Sequence, residues 1–464
     1  MRIAVIGAGI VGVTSAYELA VDGHDVTVFE RHSSLAAEAS FATPGIVAPA
    51  YVAPWAGPAP NGGLLHELFG HGRGLRMPAW PDAARWRWLW RWSQAGDAAR
   101  AQKLRAELLE LSSYSHRCLL ERVERLGLVF ERAHGVLVLL HDAAGLEAAR
   151  RQLELLRELG IGYSELDAAA CHALEPGLSR TMPLAGGIRL AQGEAANCRQ
   201  FAHVLRDAAE QLGVEFRFAT AVRALGTANA KQGTPLKLEQ LALTTGFASS
   251  HAQTPVGPQA VGQSPTMTLR RGRAAARFLE PISEEAYEAI VIAAGVDAVE
   301  LLPSLGMKLP LQPVHGYSMT APLRAPDRGP RAAVIDAQHG VAISRLGQRV
   351  RIAGGAELGG SSLRQRRAPV DLLFKLLHDR FPGAAHTAKP QIWKGARPML
   401  PDGPPVIGPS PRPGVWLNLG HGASGWSMAC GSARLLADQI AGRESAIGAA
   451  PYSARRYLGG AACG

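Results

Sequence analysis

Three glycines near the N-terminus have the spacing of a dinucleotide-binding turn. The segment Gly7-Ala8-Gly9-Ile10-Val11-Gly12 has the form G-x-G-x-x-G, and the acid Glu30 follows further along the chain. In this pattern the first glycine allows a tight turn, the second lets a pyrophosphate approach the backbone, and the third lets a helix lie close to a strand. The acidic side chain accepts hydrogen bonds from ribose hydroxyls. These residues therefore predict a site for the phosphates and ribose of a dinucleotide.

A second glycine-rich segment lies near the other end of the chain. It runs Gly420-His421-Gly422-Ala423-Ser424-Gly425-Trp426 and precedes residues 427–440, which have helical spacing. The N-terminus of a helix stabilises negative charge because its N–H groups are unpaired and its dipole is positive there. The N-terminal fingerprint fits NAD and FAD equally. A flavin is long enough to need both ends of the chain, so the second segment favours FAD.

The fingerprint needs a strand on each side of a helix, and the sequence supplies them. Residues 2–6 and 26–29 are short apolar runs, and residues 13–21 between them have helical spacing. Further strands are predicted at 135–140, 186–190, 214–218, 221–225 and 287–295, and helices at 104–126, 144–159, 197–213 and 370–381. Residues 310–320, 332–336, 341–345 and 350–354 predict successive strands of a mainly antiparallel sheet. The pattern as a whole predicts an α/β protein.

Three stretches depart from these patterns. Residues 43–58 are too proline-rich for a helix or a central strand, and their apolar content favours a pocket wall over a linker. Residues 80–92 hold five tryptophans interleaved with arginines. They predict a helix that lies at a membrane interface, or one that is buried between domains with its arginines reaching outward. Residues 226–277 are rich in Gln, Thr, Ser, Gly and Pro, which predicts a long surface hairpin or loop.

Composition excludes several functional classes. The 464 residues are 47% hydrophobic and 19% charged, which is ordinary for a soluble protein, and the net charge is +10. This charge suits an anionic substrate or membrane surface, while the sequence has no motif that indicates nucleic acid. Five scattered cysteines argue against a disulfide framework or a cysteine-bound metal. No apolar run reaches the roughly 20 residues of a membrane span. We expect a cytoplasmic protein, and peripheral contact with the inner face of the cell membrane stays open.

The chain resembles the bacterial D-amino acid dehydrogenases of the small-subunit type. These belong to a group of FAD-dependent enzymes that includes D-amino acid oxidase, glycine oxidase and sarcosine oxidase. The resemblance covers nearly the whole chain. Its motifs are the N-terminal fingerprint, Pro49-Ala50-Tyr51-Val52-Ala53-Pro54-Trp55-Ala56, His315-Gly316-Tyr317-Ser318, Ala342-Ile343-Ser344-Arg345, Gly395-Ala396-Arg397-Pro398-Met399 with Pro401-Asp402-Gly403, and Gly420-His421-Gly422 with Gly425-Trp426.

The resemblance implies a discontinuous Rossmann-like FAD-binding domain and a substrate domain built on a mixed, mainly antiparallel sheet. The expected boundaries are 1–50, 191–305 and 395–464 for the first domain, and 51–190 and 306–394 for the second. FAD is expected to bind non-covalently, because a free buried thiol is favoured over a flavin link at Cys430. The expected cofactor-binding residues are Gly7, Ala8, Gly9, Ile10, Val11, Gly12, Glu30, Arg31, Ser40, Val222, Ala294, Gly295, Gly420, Gly422, Gly425 and Trp426.

The resemblance also places Arg397 on the carboxylate of a substrate. A planar guanidinium pairs with a carboxylate through two bonds and stays charged; the alternative is a structural ion pair. Tyr317 and Tyr51 resemble residues that line the substrate pocket, although either hydroxyl could be satisfied elsewhere. Arg345 is expected to supply a second positive charge or to pair with an acid of the sheet. His315 stands where the family usually has lysine, and we expect it near the substrate.

The implied reaction is oxidative deamination of a D-amino acid to a 2-oxo acid and ammonia. Hydride would pass from the substrate α-carbon to flavin N5, and electrons would go on to a quinone or another acceptor, with no metal. One alternative keeps this chemistry for glycine, sarcosine or a proline-like or hydroxyproline-like secondary amine. Another alternative is a flavin-binding protein without turnover. The complete glycine pattern and Arg397 favour an enzyme.

Overall fold

The protein is described by a computed structural model over residues 1–52, 75–76, 82–226, 233–241, 283–360 and 365–458. Its strands are β1 (Arg2–Ile6), β2 (Asp25–Phe29), β3 (Ile46–Val47), β4 (Leu75–Arg76), β5 (Arg132–Leu140), β6 (Ser164–Asp167), β7 (Gly186–Ala196), β8 (Glu215–Arg217), β9 (Thr220–Leu225), β10 (Thr234–Gln240), β11 (Ser283–Tyr287), β12 (Ala289–Ile292), β13 (Gln312–Pro322), β14 (Ala333–Asp336), β15 (Val341–Leu346), β16 (Arg349–Leu358), β17 (Gln391–Met399), β18 (Val406–Pro409) and β19 (Val415–Leu419). Its α-helices are α1 (Ile10–Val21), α2 (Ala83–Ala95), α3 (Ala98–Leu126), α4 (Ala143–Glu158), α5 (Ala168–Leu174), α6 (Cys198–Gln211), α7 (Ala298–Leu301), α8 (Arg367–Arg380), α9 (Gly425–Ile440) and α10 (Arg455–Leu458).

A six-stranded sheet contains the N-terminal fingerprint. Its strand order is β18-β19-β12-β1-β2-β8, and β1 pairs in parallel with both β2 and β12. Helices α1, α6 and α9 pack together against it, so Ile3, Val5 and Val28 of the central strands are fully buried. Covered faces on both sides explain why the strands of this sheet are nearly continuous apolar runs. The sheet confirms the predicted Rossmann-like part of the fold.

A second sheet of ten strands confirms the predicted mixed, mainly antiparallel layer. Its main path is β17-β13-β16-β15-β14-β5-β7-β3, with β4 beside β16 and β6 beside β7. The pairs of β13, β15 and β17 are antiparallel, whereas β14 runs parallel to β5. Helix α8 packs against β13 and β16, and that contact buries Leu373, Leu376 and Leu377.

A third, three-stranded sheet includes part of the stretch 226–277, for which a long surface hairpin or loop was predicted. Its order is β11-β10-β9, and β10 lies inside that stretch and pairs antiparallel with β9, as the strands of a hairpin do. Leu236 and Leu238 of β10 are buried, and Lys237 between them is exposed, which is the period-two alternation of a half-buried strand. The rich Gln, Ser and Gly content around this short run concealed its alternation. Residues 227–232 and 242–282 of the stretch lie outside the described residues.

Helix α2 of the tryptophan-rich stretch has one buried face and one exposed face, and the predicted membrane contact stays a prediction. Trp88 is fully buried, and its indole N–H donates to the carbonyl of Met399 at 3.2 Å. Trp86 and Trp90, on another face, are 51% and 63% exposed. Residues 80 and 81 lie outside the described part of the chain. Among the helices that the structure describes, each is too short or too polar to cross a lipid bilayer.

The proline-rich stretch 43–58 is ordered where it is described. Ile46–Val47 pairs with β7 as an edge strand, and a 3-10 helix covers Pro49–Tyr51; residues 53–58 lie outside the described residues. The predicted domain boundaries stay a prediction. The strands of the six-stranded sheet fall within the proposed FAD segments, whereas β7 and β17 of the ten-stranded sheet cross the proposed boundaries at 190 and 394.

Candidate active site

A cavity of about 390 Å³ lies between the two large sheets. Its walls are the fingerprint turn, the end of β12, residues of β13, β16 and β17, and the start of α9. Most of the predicted site residues line it: Gly7, Gly9, Ile10, Val11, Glu30, Arg31, Ser40, Tyr51, Val222, Ala294, Gly295, Tyr317, Arg397, Gly420, Gly422, Gly425 and Trp426. The cavity is therefore built from segments at both ends of the chain.

The fingerprint glycines are needed for the shape of the turn. Gly7 has φ +102°, and a Cβ on it would lie 2.7 Å from the carbonyl oxygen of Ala293. A Cβ on Gly12 would lie 1.8 Å from the carbonyl oxygen of Gly7, so helix α1 could not approach β1 this closely with any other residue there. Gly12 and Ala8 do not line the cavity. Both residues instead hold the lining residues in place: Gly12 allows α1 to approach β1, and the Ala8 N–H donates to Glu30 Oε2 at 2.8 Å.

Two oxygens stand beside the start of α1. The backbone N–H of Ile10 donates to Ser40 Oγ at 3.1 Å, and the N–H of His32 donates to Glu30 Oε1 at 2.9 Å. A carboxylate has about four lone-pair sites, so Glu30 retains acceptor capacity for ribose hydroxyls. Within the described part of the chain the Ser40 hydroxyl donates to no residue, so its hydrogen can bond to a phosphate oxygen.

Arg31 pairs with two carboxylates at this end of the cavity. Arg31 lies 2.9 Å from Glu38 Oε1 and 2.9 Å from Asp297 Oδ2. Burial alone would lower the pKa of Arg31, but the charges of Asp297 and Glu38 outweigh it and raise that pKa. Arg31 thus fixes the wall of the cavity through two carboxylates.

The start of α9 forms a second positive end beside the cavity. Gly420 has φ +81° and Gly422 has φ +58°, and a Cβ on Gly422 would lie 2.7 Å from Met399 Sδ. His421 between them is buried, and burial lowers its pKa to about 3. The imidazole is therefore neutral at working pH, and the local positive potential comes from the helix terminus rather than from this side chain.

These donors and acceptors fit FAD. The turn around Gly7 and Gly9 leaves backbone open to a pyrophosphate, Glu30 offers acceptors to a ribose, and two helix termini face a cavity that extends from one sheet to the other. The cavity is lined mainly by apolar groups, as a flavin ring requires.

Arg397 is held in the cavity by glycine backbone. Its Nη1 donates to the carbonyl oxygen of Gly355 at 2.8 Å, and its guanidinium lies flat on Gly316, where an added Cβ would meet Nη2 at 2.3 Å. Among the described residues, no carboxylate lies within ion-pair distance of Arg397. Burial lowers the pKa of Arg397 to about 10, so the group is still a cation at neutral pH. A shielded cation without an acid partner favours an anionic ligand over a structural ion pair.

Two unsatisfied polar atoms lie on the same face of the sheet as Arg397. Strand alternation places Trp393, Gly395 and Arg397 on one face of β17, and Ser318 of β13 lies opposite Trp393. The indole N–H of Trp393 and the Ser318 hydroxyl are buried, and neither has a hydrogen-bond partner among the described residues. Trp393 stacks on Phe41 with ring centroids 4.4 Å apart. Alternation from Arg397 could have identified Trp393; Ser318 required the strand register.

The two predicted tyrosines have different environments. Tyr51 lines the cavity, and burial together with the charge of Asp336 raises its pKa, so its hydroxyl stays protonated. Tyr317 contributes to the wall, but its hydroxyl donates to Glu357 Oε2 at 3.2 Å and accepts from the N–H of Arg366 at 3.2 Å. Alternation along β13 turns its ring away from the face of Gly316, toward Lys394 on the other side of the sheet.

The structure corrects the expectations for His315 and Arg345, because neither residue lines the cavity. His315 is buried, with Nδ1 2.8 Å from the carbonyl oxygen of Gly359. Arg345 lies toward the far end of β15, where it donates to the carbonyls of Gly347 and Pro326, each at 3.2 Å. Both predictions came from the resemblance to family motifs, and strand direction carries both side chains elsewhere.

Comparisons with known proteins agree with this site. A family model described as "FAD dependent oxidoreductase" matches residues 2–439. The D-amino acid dehydrogenase of Cereibacter sphaeroides is 38% identical over 459 residues, which cover 98% of this chain and 95% of that protein. The D-amino acid dehydrogenase of Rhodopseudomonas palustris is 36% identical over 465 residues, covering 100% of this chain and 99% of that protein. The crystal structure of glycine oxidase from Geobacillus kaustophilus superposes with a TM-score of 0.68 at 20% identity, covering 97% of this chain and 98% of that one, and shows the same fold.

Proposed function

Because this chain belongs to the family of FAD-dependent oxidoreductases, we propose that it oxidises free D-amino acids to 2-oxo acids and ammonia. The observation that carries the proposal is Arg397, a cavity cation with no carboxylate partner among the described residues. Two relatives named D-amino acid dehydrogenase, each aligned over nearly the whole chain, support the choice of substrate class.

FAD, when bound, supplies the acceptor for the two electrons and the α-hydrogen that leave the substrate. The chain's own residues bind and orient the amino acid. Arg397 holds the α-carboxylate through a planar, charge-assisted pair. Trp393, which stacks on Phe41, contributes an aromatic side chain to the cavity wall and helps to exclude water there. The start of α9 places a positive dipole end at the cavity, where negative charge is stabilised.

The overall change is balanced without a covalent nucleophile. The substrate ammonium first loses a proton, so that the nitrogen lone pair can assist the loss of the α-hydrogen. The product is an imino acid, which water hydrolyses to a 2-oxo acid and ammonia. At no step is the substrate bonded covalently to the protein. Holding the substrate in one orientation is the main contribution asked of the protein.

The proposal is tested by anaerobic bleaching of the bound flavin with a panel of amino acids. D-Amino acids should bleach the flavin and L-enantiomers should not. In a dye-coupled assay, Arg397→Leu should keep FAD but raise KM by about a hundredfold or more, because a charge-assisted pair is lost. Arg397→Lys is the matched control and should recover part of the affinity. Bleaching by glycine, sarcosine or proline alone, or by no amine, would overturn the proposal.

We further propose that electrons pass to a quinone at a membrane surface reached through α2. The exposed face of this helix carries Trp86, Trp90, Arg87 and Arg91, a pairing of indoles and cations that suits an anionic lipid interface. The net charge of +10 acts in the same direction.

Co-sedimentation with vesicles tests this contact. The protein should bind vesicles that contain phosphatidylglycerol more tightly than vesicles of phosphatidylcholine alone. The double variant Trp86→Gln, Trp90→Gln should lose that binding, while Val129→Gln, at an exposed apolar position elsewhere, should keep it. Equal binding by both variants would remove α2 from the contact.

A further inference from the structure

Residues 40–46, called here the connecting segment, join the two glycine-rich ends of the cavity. At one end Ser40 Oγ accepts from the N–H of Ile10 at the start of α1, at 3.1 Å. At the other end the carbonyl of Ile46 accepts from Ser427 Oγ near the start of α9, at 3.2 Å. Four residues of the segment line the cavity: Ala42, Thr43, Pro44 and Ile46. A ligand that reaches from one helix terminus to the other therefore lies against this segment.

The carbonyl oxygens of residues 43–46 are all bonded to the protein. Their donors, in order, are Arg351 Nη1 at 2.8 Å, Ser344 Oγ at 2.6 Å, the N–H of Ala196 at 2.6 Å and Ser427 Oγ at 3.2 Å. In contrast, the N–H groups of Ala42 and Thr43 have no hydrogen bond to the described residues. Sheltered N–H groups normally have acceptors, so the connecting segment offers donors rather than acceptors to a ligand in the cavity.

The peptide between Thr43 and Pro44 has a single polar group by which it can be held. Proline has no N–H, so the Thr43 carbonyl is the only hydrogen-bonding group of this peptide. Arg351 Nη1 donates to that carbonyl, and Arg351 Nε donates to Thr320 Oγ1, each at 2.8 Å. The donors of a guanidinium have a rigid, planar arrangement. The bond to Thr320 therefore fixes the direction from which Arg351 holds the Thr43 carbonyl.

The side chains that hold this part of the segment lie on the cavity face of the ten-stranded sheet. Arg351 of β16 pairs with Thr320 of β13 on one side and with Ser344 of β15 on the other. Ala353, two residues further along β16, lines the cavity. Residues two apart on a strand share a face of the sheet. Arg351 and Ser344 thus stand beside the part of the sheet that forms the cavity wall.

Arg351 is a buried cation without an acid partner among the described residues. It is 4% exposed, and burial lowers its pKa to about 10, so it stays charged at neutral pH. The nearby acid Glu131 pairs with Arg349 instead, at 2.7 Å. A hydrogen bond from a charged donor is roughly twice as strong as a neutral one. Of the bonds to the carbonyls of the segment, the one from Arg351 is therefore the strongest.

We propose that Arg351 is a positioning residue for the oxidation, because its bond to the Thr43 carbonyl fixes the connecting segment against the ligands in the cavity. The inference rests on the proposed function. Arg351 does not itself line the cavity, so it acts through Thr43 and Pro44. Arg397 would still bind the substrate carboxylate if the segment moved. The loss of Arg351 should therefore lower kcat more than it raises KM.

Steady-state rates on D-alanine with a dye acceptor test the proposal on the holoenzyme. Arg351→Met has a side chain without donors. Its kcat should fall about tenfold or more while KM changes by less than about threefold, because a small displacement of a cavity wall impairs alignment more than binding. Arg351→Lys keeps a charged donor and should recover part of kcat. The control Arg345→Met removes an arginine that also bonds two carbonyls of this sheet but lies away from the cavity, and it should behave as the wild type.

The circular dichroism of the bound flavin in the visible range gives a measurement that does not depend on turnover. This spectrum reports the contacts of the flavin ring. It should change in Arg351→Met and stay the same in Arg345→Met. A wild-type spectrum together with a wild-type kcat in Arg351→Met would overturn the inference.

Ser344→Ala covers the case in which Arg351→Met does not fold. It removes the bond to the Pro44 carbonyl and should lower kcat by about two- to tenfold, the value of one neutral hydrogen bond. Combined with Arg351→Lys, it should lower kcat by a factor different from the product of the two single effects, because both side chains hold one segment. Wild-type kcat in both single variants, with D-alanine still oxidised, would overturn this inference and leave the proposed function standing. Oxidation of no D-amino acid by the wild type would overturn the proposed function, and this inference with it.

Discussion

At the scale of single residues, the position of Arg397 depends on the absence of a neighbouring side chain. Its guanidinium lies on Gly316, and its Nη1 is anchored on the Gly355 carbonyl. Gly316 is the point at which the pairing of β13 with β16 shifts register. The bulge and the missing Cβ together make room for a planar cation on the surface of the sheet. The motif His315-Gly316-Tyr317-Ser318 thus acts through its glycine rather than through its histidine.

Gly316→Ala should therefore impair substrate binding. The new Cβ would lie 2.3 Å from Nη2, so the guanidinium must move. A displacement of about 1 Å can lower activity a hundredfold, and we expect KM for D-alanine to rise by about tenfold or more while FAD content stays the same. Gly162→Ala is a matched control, since its Cβ would meet nothing within 4 Å. An unchanged KM would show that Arg397 does not bind the substrate in this position.

His421 should make stability depend on pH. Its pKa falls from about 6.5 to about 3 in the folded protein because it is buried. Between these values the unfolded chain binds a proton that the folded chain does not, so stability is lost as pH falls below 6.5. The slope from this group is about 1.4 kcal/mol per pH unit. Urea unfolding of the FAD-saturated protein at pH 5 and pH 7 should show it.

His421→Gln should remove that contribution, since the amide can still bond to Ser432 and does not titrate. The free energy of unfolding should then fall less between pH 7 and pH 5. His378→Gln, at an exposed position, is the control and should behave as the wild type. An equal pH dependence in both variants would contradict a buried neutral imidazole at position 421.

At the scale of elements, the approach of α1 to β1 determines the cofactor site. Gly12 faces the carbonyl of Gly7 directly, so the first turn of α1 lies against the end of β1. Ser40 then reaches the N–H of Ile10 from another loop. Helix α1 also packs on α9, and Arg434 of α9 lies 2.9 Å from Glu18 and 2.6 Å from Asp22. The N-terminal and C-terminal glycine segments are thus held in place by one pair of helices.

Gly12→Ala should abolish stable FAD binding. A Cβ there would lie 1.8 Å from a carbonyl oxygen, so α1 would have to move away from β1. The N–H groups at the start of α1 would then no longer point at the pyrophosphate of FAD. We expect the purified variant to be colourless, with FAD lost on gel filtration and an unfolding temperature below that of the wild type. Gly448→Ala, where the added Cβ meets nothing within 4 Å, should keep the flavin. A yellow Gly12→Ala protein would show that the helix does not set the site.

At the scale of the whole molecule, the cavity joins parts of the chain that are far apart in sequence. The turn at Gly7, the loop near Ser40, the end of β12 and the start of α9 meet at one cofactor site, and β13 and β17 close it from the other sheet. A ligand that touches all of these segments links them energetically. Binding only to the folded state adds stability that depends on ligand concentration.

Removal of FAD should therefore lower stability and affect both ends of the chain together. At a concentration about a hundredfold above Kd, the cofactor adds about 2.7 kcal/mol, which corresponds to a Tm shift of about 3 °C for a chain of this size. Hydrogen exchange should rise in the apoprotein around the starts of α1 and α9 at once. Helix α4, which packs on the other sheet, should not change. Increased exchange at only one end would contradict a jointly built site.

Some of the site could be predicted because its signal is local. The Gly7 turn, Glu30 and the glycine segment at 420–425 follow from spacing and from the strand or helix on each side. The cavity residues that lie on the same face of the sheet as Arg397 were harder to predict. Trp393 and Ser318 become neighbours only through the register of β13 with β17, and strand β10 was concealed by the composition of the residues around it.

The sequence by itself determined the α/β class, the nucleotide-binding turn and the candidate cation, since each depends on residues close together in the chain. The tertiary structure alone decided that Tyr317 bonds to Glu357, that His315 and Arg345 lie away from the cavity, and that His339 forms part of its wall. The physical reason is that strand pairing joins distant residues, and the direction of each side chain across a sheet depends on register and bulges, which local patterns do not encode.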